Sequence, residues 1–598
     1  MQPKNWTGAV PAADLRAVLA ALVVVAVGLF GEVGWPLIYL GAGLGMTIAA
    51  VSVAADQQFE MRFVEGLWWT MIAWGLLAAF VASGGALASK TTLASWGGAW
   101  VIWAVVARGR SKGRKWVTTL LVSGAMVLGL AVLVSGHGDW RLITNHNISV
   151  ALIVVTVPLV SDILQHSWVG RSTLVLMLVP VLLTGSRAGV LAVLVIAISL
   201  WPAGRSRRWV IAVGGVGAIA AIAWRVISRP ESLVWHRWQI WGAVVEAIGD
   251  RPWWGIGAAG LADAMGPYRL EHATELGRWG HVIGGAESMP LGLALRIGLP
   301  GLILAGAALV VWLSRSRRPA PATAATLGAM FTMGLFHDFW SEPAVLWWWA
   351  AALGLATLKR PESSGWQRHR GPGFTQWAMA LAVGGLTAWA MVQPAWAQWL
   401  WWRSEPSAGA VATAVRSEPW FSQPMEWRVE NLLAESRWTW PEASEALEWS
   451  RRSLEVQSGS ARVWSLHGRV NARVVDEFGA WPATVEEARR AFARAAVLEP
   501  RLPWHPYSQA MMERSLGNLE RALRLASRSV ELEPAFVRGR LLVSRLELDG
   551  GHVHAALRAL DQALMARDAG ESRVWTSYHR DLIRCPERHI GALKRELQ

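Results

Sequence analysis

Cysteine occurs once in the 598 residues, as Cys585, and tyrosine only four times. A lone cysteine excludes an intrachain disulfide and any metal site built on clustered thiolates, and leaves the redox compartment open. Charge is scarce as well, at 17% of residues, and what there is falls unevenly: residues before about 400 are dominated by long uncharged runs, residues after it by charged ones. The excess of basic over acidic side chains gives a formal charge of +14. In a soluble protein that balance would suggest nucleic acid. Here the arginines and lysines are sorted into short loops between apolar runs, so they read as markers of membrane topology and no nucleic-acid partner is expected.

What is present in abundance is apolar sequence. Runs such as LRAVLAALVVVAVGLF, WVTTLLVSGAMVLGLAVLVSG, ISVALIVVTVPLV and WVIAVGGVGAIAAIAW approach or reach the roughly 20 residues that cross a hydrocarbon core of about 30 Å. The pattern predicts an all-α, polytopic membrane bundle over residues 1–400, with about thirteen spans centred near 23, 45, 74, 100, 126, 158, 178, 195, 217, 300, 329, 350 and 384. No small-residue cleavage site follows the first run, which is read as a retained span in contact with membrane lipids. Alternate loops carry RGRSKGRK (108–115), GRSRR (204–208), SRSRR (314–318) and LKRPESSGWQRHR (358–370), and mark the cytoplasmic side. The lysine-poor loops HGDWRLITNHN, TGSR and HDFWSEP, and a long insertion at about 227–287, then face outward. The N-terminus is placed inside. An odd number of spans sends residues 401–598 outside.

Beyond residue 403 the texture becomes that of charged helices with small residues at fixed offsets. EEARRAFARAAVLEP (486–500) aligns with LERALRLASRSVELEP (519–534), placing Pro500 with Pro534, Ala488 with Ala522, and Arg494 with Arg528 at one common step. Gly517 to Gly551 and Ala522 to Ala556 repeat the step. A further unit, EASEALEWSRRSLEVQS (442–458), fits after an insertion around 477–485. A 34-residue period with alanines at helix crossings and proline after the second helix is similar to the tetratricopeptide pattern, an α-solenoid whose groove binds partners and carries no chemistry of its own.

The chemistry must then come from the membrane half. GIGAAG (255–260) matches a dinucleotide fingerprint in letters only, since it follows RPWW and not a strand; its glycines suit a tight turn with close backbone packing. His146 and Asn147 stand where an outward loop enters a span, where capping and a substrate-lining role are both open. RWQIWGAVVEAIGDRP reads as an amphipathic helix at the interface, its tryptophans anchors, opened by Arg237 and closed by Asp250-Arg251-Pro252; Arg251 serves either surface pairing or the substrate wall. In VPVLLTGSRAGVLAVLVI a single guanidinium, Arg187, divides two apolar runs with no acidic residue within ten positions. At a bilayer centre it would cost about 2.5–3.5 kcal/mol, so it belongs at an outer mouth or serves a purpose.

Taken in order, TGSRAG, R-x-x-x-W in RWQIW, DRPWWGIG and ESMPLGLALRIGLPG (287–301) resemble the O-antigen ligase and O-antigen polymerase superfamily, over about residues 120–340. The resemblance implies a GT-C-like helical enzyme of the bacterial inner membrane, with its C-terminal repeats in the periplasm. It implies transfer of a glycan from undecaprenyl diphosphate to a lipid, glycan or protein acceptor, without cofactor or metal and with inversion at the sugar. Arg187 and Arg237 match the arginines thought to bind the diphosphate. Where relatives often place a His-Asn pair before the last motif, this chain has Glu287 and Ser288, so Glu287 is the expected general base, with His281 and then His272 as rivals. The repeats are expected to recruit an envelope protein. A non-catalytic scaffold or a lipid-linked glycan transporter is the alternative, though no second copy of TGSRAG or RIGLPG marks the paired halves of a transporter.

Overall fold

The computed structural model describes residues 12–30, 63–83, 90–108, 111–135, 146–164, 168–184, 186–200, 234–258, 261–271, 277–279, 283–315, 321–356, 393, 396–397, 400–401, 408–419, 422–571, 577–585 and 587–597. All regular elements among them are helices. In chain order the apolar part holds α1 (Ala12–Phe30), α2 (Phe63–Ser83), α3 (Lys90–Arg108), α4 (Ser111–Ser135), α5 (His146–Leu164), α6 (Trp168–Leu183), α7 (Arg187–Leu200), α8 (Val234–Asp250), α9 (Met289–Arg315), α10 (Pro321–Phe336) and α11 (Pro343–Ala356). Two stretches are long and apolar enough to cross a bilayer, Gly113–Val134 and Met289–Ser314; seven further described helices are apolar but shorter. The spans expected near 45, 217 and 384 lie outside the described residues.

The bundle is organised around α11, which is buried on nearly every face and packs against α1, α3, α4, α5 and α10. An apolar surround gives a helix little reason to prefer one register, and here three consecutive tryptophans supply it. Trp347 donates its indole N–H to the Ser95 carbonyl (2.9 Å), Trp348 to Thr156 Oγ1 (2.9 Å) and Trp349 to the Ala151 carbonyl (3.1 Å). Trp96 and Trp340 add donations to the carbonyls of Trp340 and Met289. Each ring fills volume while its one polar atom finds a partner on another element, a requirement that fixes both position and rotamer.

The charged part continues with α12 (Ala408–Ser417), α13 (Ser422–Ala434), α14 (Trp440–Val456), α15 (Ala461–Phe478), α16 (Pro482–Leu498), α17 (Trp504–Ser515), α18 (Leu519–Leu532), α19 (Val537–Asp549), α20 (Val553–Glu571), α21 (Ser577–Ile583) and α22 (Glu587–Leu597). From α13 to α20 each helix packs on its neighbours in sequence. Ala488, Ala522 and Ala556, the small residues of the repeat, are fully buried where helices cross. Gly517 and Gly551 share a left-handed φ (77° and 80°), and Asn518 N–H and His552 N–H reach back to the carbonyls of Glu513 and Glu547, so one helix-ending turn recurs one period on. The insertion around 477–485 is absorbed by a longer helix: α15 has 18 residues, where α17 has 12 and α19 has 13.

Candidate active site

The site is built around a broken helix. Within α9, Ile297 and Gly298 leave helical geometry, Gly298 with φ 74°, ahead of Pro300. A break strands carbonyls, and each finds a donor. Ile256 N–H bonds Leu295 O (2.7 Å), Gly257 N–H bonds Arg296 O (3.1 Å) and the Trp74 indole bonds Ile297 O (2.9 Å). Leu299 N–H in turn reaches Pro252 O (2.8 Å). A β-carbon on Gly255 would fall 2.4 Å from Leu295 O, and one on Gly298 would fall 2.2 Å from Trp253 O, so the glycines of GIG and RIG permit this backbone contact. DRPWWGIG and RIGLPG, well separated in sequence, are two sides of one joint.

That joint places the first half of α9 beside α8 and the loop before it. Arg237, in the first turns of α8, meets Glu287 with its terminal nitrogen 3.7 Å from a carboxylate oxygen; the side chains are 31% and 41% exposed. Glu287 is the one described non-glycine residue with a left-handed φ, 49°. Such a conformation in a residue with a β-carbon is strained and persists only where its surroundings dictate it. Here Asp338 supplies the constraint. Its Oδ2 accepts from Ala286 N–H (3.3 Å) and from the Arg296 guanidinium (2.7 Å), and its Oδ1 accepts from Trp340 N–H (3.3 Å). Arg296 and Asp338 are almost wholly buried, at 3% and 4% exposure. Gly292 leaves room for the carboxylate, which would lie 2.6 Å from a β-carbon there.

Burial pushes the Glu287 carboxyl above the usual carboxylate range; the Arg237 charge opposes that shift and the Asp338 charge reinforces it. His337 Nδ1 lies 4.0 Å from the same Glu287 oxygen. By sequence HDFWSEP reads only as an outward loop, yet His337 and Asp338 are central to this arrangement. The available signal is a histidine and two carboxylates in one short connection between apolar helices.

A second group forms at the start of α7. Ser186 Oγ donates to Asn147 Oδ1 (3.1 Å) and accepts from Gly189 N–H (3.3 Å), so the TGSR turn that presents Arg187 is tied to the head of α5. His146 opens α5, and its side chain lies outside the described residues, as do His281 and His272. Helix α10 packs along both α5 and α7 and delivers His337 at its end, which links this group to the first.

Arg251 stands apart. It is exposed, and follows α8 fourteen residues after Arg237, about 21 Å along a helix at 1.5 Å per residue. Its N–H bonds Ala247 O and Ile248 O and its carbonyl accepts from Gly255 N–H. Its backbone thus forms the turn that ends α8, and its exposed side chain lies away from the Arg237–Glu287 pair. The apolar face of α8, through Ile240, Val244, Ala247 and Ile248, packs inward, while Trp238 and, beyond the helix, Trp253 remain exposed.

No curated protein matches the chain. Solved structures similar to it include MamA (15% identity over 27% of this chain and 86% of that one, TM-score 0.23) and a thermophilic TPR protein of Thermus thermophilus (14%, 36% and 96%, 0.25). Yeast Tom70 is similar at 10% identity over 79% of this chain and 95% of its own, with a TM-score of 0.19. The repeat assignment rests on the 34-residue period and the helix pairing themselves. Residues 172–306 match the family described as O-Antigen ligase, and Arg187, Arg237, Glu287 and the break at Ile297-Gly298 all lie within the matched segment.

Proposed function

We propose that this protein transfers or polymerises a glycan carried on undecaprenyl diphosphate, at the outer face of the bacterial inner membrane, onto an acceptor hydroxyl. The division at about residue 400, with a membrane glycosyltransferase domain before it and periplasmic repeats after it, belongs to the same reading. The observation that carries the chemistry is the Arg237–Glu287 pair, two residues from separate motifs of the matched domain that meet at 3.7 Å, with Glu287 in a strained conformation.

The pair suggests an order of events. Arg237 lowers the basicity of Glu287 while they face one another. A diphosphate that takes the Arg237 fork, with Arg187 as a second fixed cation, releases that restraint. Glu287, already raised by burial, then accepts the acceptor's proton. The hydroxyl oxygen attacks the anomeric carbon, the sugar–phosphate bond breaks, and the electron pair leaves with the diphosphate, where the guanidinium groups meet the developing charge. One displacement inverts the anomeric centre. His337 is near enough to Glu287 to orient it.

Purified protein in liposomes, given labelled lipid-linked glycan and acceptor, tests the reading. Transfer should appear in the wild type and fall at least tenfold in both Arg187→Lys and Arg237→Lys, because lysine keeps the charge and loses the bidentate fork. Near-normal transfer in both variants would reject the diphosphate role. Transfer by neither wild type nor variant, across lipid, glycan and protein acceptors, would favour a scaffold.

A further inference from the structure

The repeat array is joined to the segment that precedes Glu287. Within the repeat the sequence Leu-Glu-Pro recurs at 498–500 and 532–534, so Glu499 and Glu533 occupy equivalent places at the ends of α16 and α18. A repeat offers the same group at regular spacing along one edge. Both glutamates are buried, 8% and 1% exposed, which for carboxylates calls for specific partners. The partners come from far earlier in the chain. Glu499 accepts from the Arg269 guanidinium at 2.9 Å, with the other Arg269 terminal nitrogen on Trp279 O at 3.0 Å and His505 Nε2 3.5 Å from the second carboxylate oxygen. Glu533 faces the backbone N–H groups of Arg278 and Trp279, and beside it Leu532 O accepts from the Trp279 indole at 2.9 Å.

The contact is close at both described parts of the segment. The Arg501 guanidinium lies 4.8 Å over the Trp279 ring and bonds the Arg269 carbonyl. A β-carbon on Gly266 would fall 2.4 Å from Glu499 Cγ, and one on Gly277 would fall 2.7 Å from the His579 ring. Two successive repeats thus grip two points of one segment, and α21 closes over a third.

What the segment touches on its other side gives the grip a purpose. Leu261, Met265 and Leu270 pack in one apolar cluster with Ile240, Ala243, Val244 and Ala247 of α8, which carries Arg237. The same cluster includes Ile283 and Ala286, immediately before Glu287, and Ala294 and Leu295 of α9. A packed cluster of this kind transmits displacement instead of absorbing it. We propose that the Leu-Glu-Pro edge of the repeat array is the receptor for residues 261–271 and 277–279 of the same chain, and that Arg269, their buried anchor, is a positioning residue for Arg237 and Glu287. The array's partner in this interaction is internal, and the repeats hold the site in register. The positioning half rests on the function proposed above; the docking half does not.

The full-length protein in liposomes allows the two halves to be separated. Hydrogen exchange reads the docking directly: in Arg269→Ala, and in the milder Glu499→Gln, amides of 266–271 and 277–279 should exchange at least tenfold faster, while those of α11 hold their wild-type rates. Turnover of lipid-linked glycan reads the positioning: kcat should fall about tenfold in Arg269→Ala with donor KM within twofold, as expected when a reacting group is displaced and binding is not. Arg269→Lys, which retains the charge beside Glu499, should recover part of both. Unchanged protection in both Arg269→Ala and Glu499→Gln would overturn the docking. Lost protection with unchanged kcat would overturn the positioning role. A wild type without transfer activity would reject the function proposed above, and with it the positioning role, while the exchange data would still decide whether the segment is docked.

Discussion

The two halves of this protein solve the same packing problem with opposite materials. In the apolar bundle, large indoles are locked by single hydrogen bonds to other helices, as with Trp347, Trp348 and Trp349 on α11. In the repeat array, small alanines let helices approach closely, and forked arginine–glutamate pairs tie neighbouring helices together: Arg489 on Glu513 at 2.8 and 2.9 Å, and Arg428 on Glu445 at the same distances. Where lipid removes the hydrophobic drive between helices, a polar contact gives specificity that greasy surfaces lack. Where water supplies that drive, closeness of approach is the scarce quantity, and alanine provides it. The candidate site lies where the styles mix, around a buried Arg296–Asp338 pair in an otherwise apolar surround.

The comparison can be broken at several points. The largest effect should come from Asp338→Ala, which leaves Arg296 buried without its counter-charge and frees the Ala286 amide; a loss of about 3–5 kcal/mol is expected, measured as thermal or denaturant unfolding in detergent. Next, Ala522→Leu forces a side chain into the helix crossing of the array and should cost about 1–3 kcal/mol, while the same alanine-to-leucine change at lipid-facing positions of the bundle should cost little. Trp348→Phe keeps most of the ring volume and removes one donor, leaving Thr156 Oγ1 without its indole partner; about 1 kcal/mol is expected, with the array unaffected.

The smallest effect is a pH dependence. Burial pushes the Glu533 carboxyl up to about 7, against the opposing backbone N–H groups of Trp279 and Arg278. Because the docked state favours the protonated form, its contribution is complete below the unfolded value near 4.3 and is lost as pH rises through about 7. Protection of 277–279, corrected for intrinsic exchange, should therefore decline between pH 5 and 8 in the wild type. In Glu533→Gln it should stay level.

Much of the array was legible in the sequence, because a period is a local pattern: Ala488 and Ala522 announce crossings, Gly517 and Gly551 announce turns, each pair one repeat apart, and the structure uses them so. The site was legible only in part. Arg237 and Glu287 stand out through the motifs that carry them, and they meet. Asp338 does not, since its partners Arg296 and Ala286 are 42 and 52 residues away, and the cluster of His337 and carboxylates around it marks the connection without saying which of them is buried and paired. Arg269 and Glu499, 230 residues apart, were out of reach of any reading of spacing. Arg251 adjoins a motif as Arg237 does, yet helix length sets the two apart, a separation that spacing within the motifs does not announce.

The account turns on Glu287 as the group that accepts the acceptor's proton, and the direct measurement is steady-state transfer by Glu287→Gln alongside wild type, with donor binding measured separately. Glutamine keeps the size of the side chain and removes its basicity, so turnover should fall by roughly 10²–10⁴-fold, the usual share of general base catalysis, with donor affinity nearly unchanged. Turnover within a few-fold of wild type would contradict the account, and loss of turnover in His281→Ala with Glu287→Gln still active would move the base to the upstream histidine.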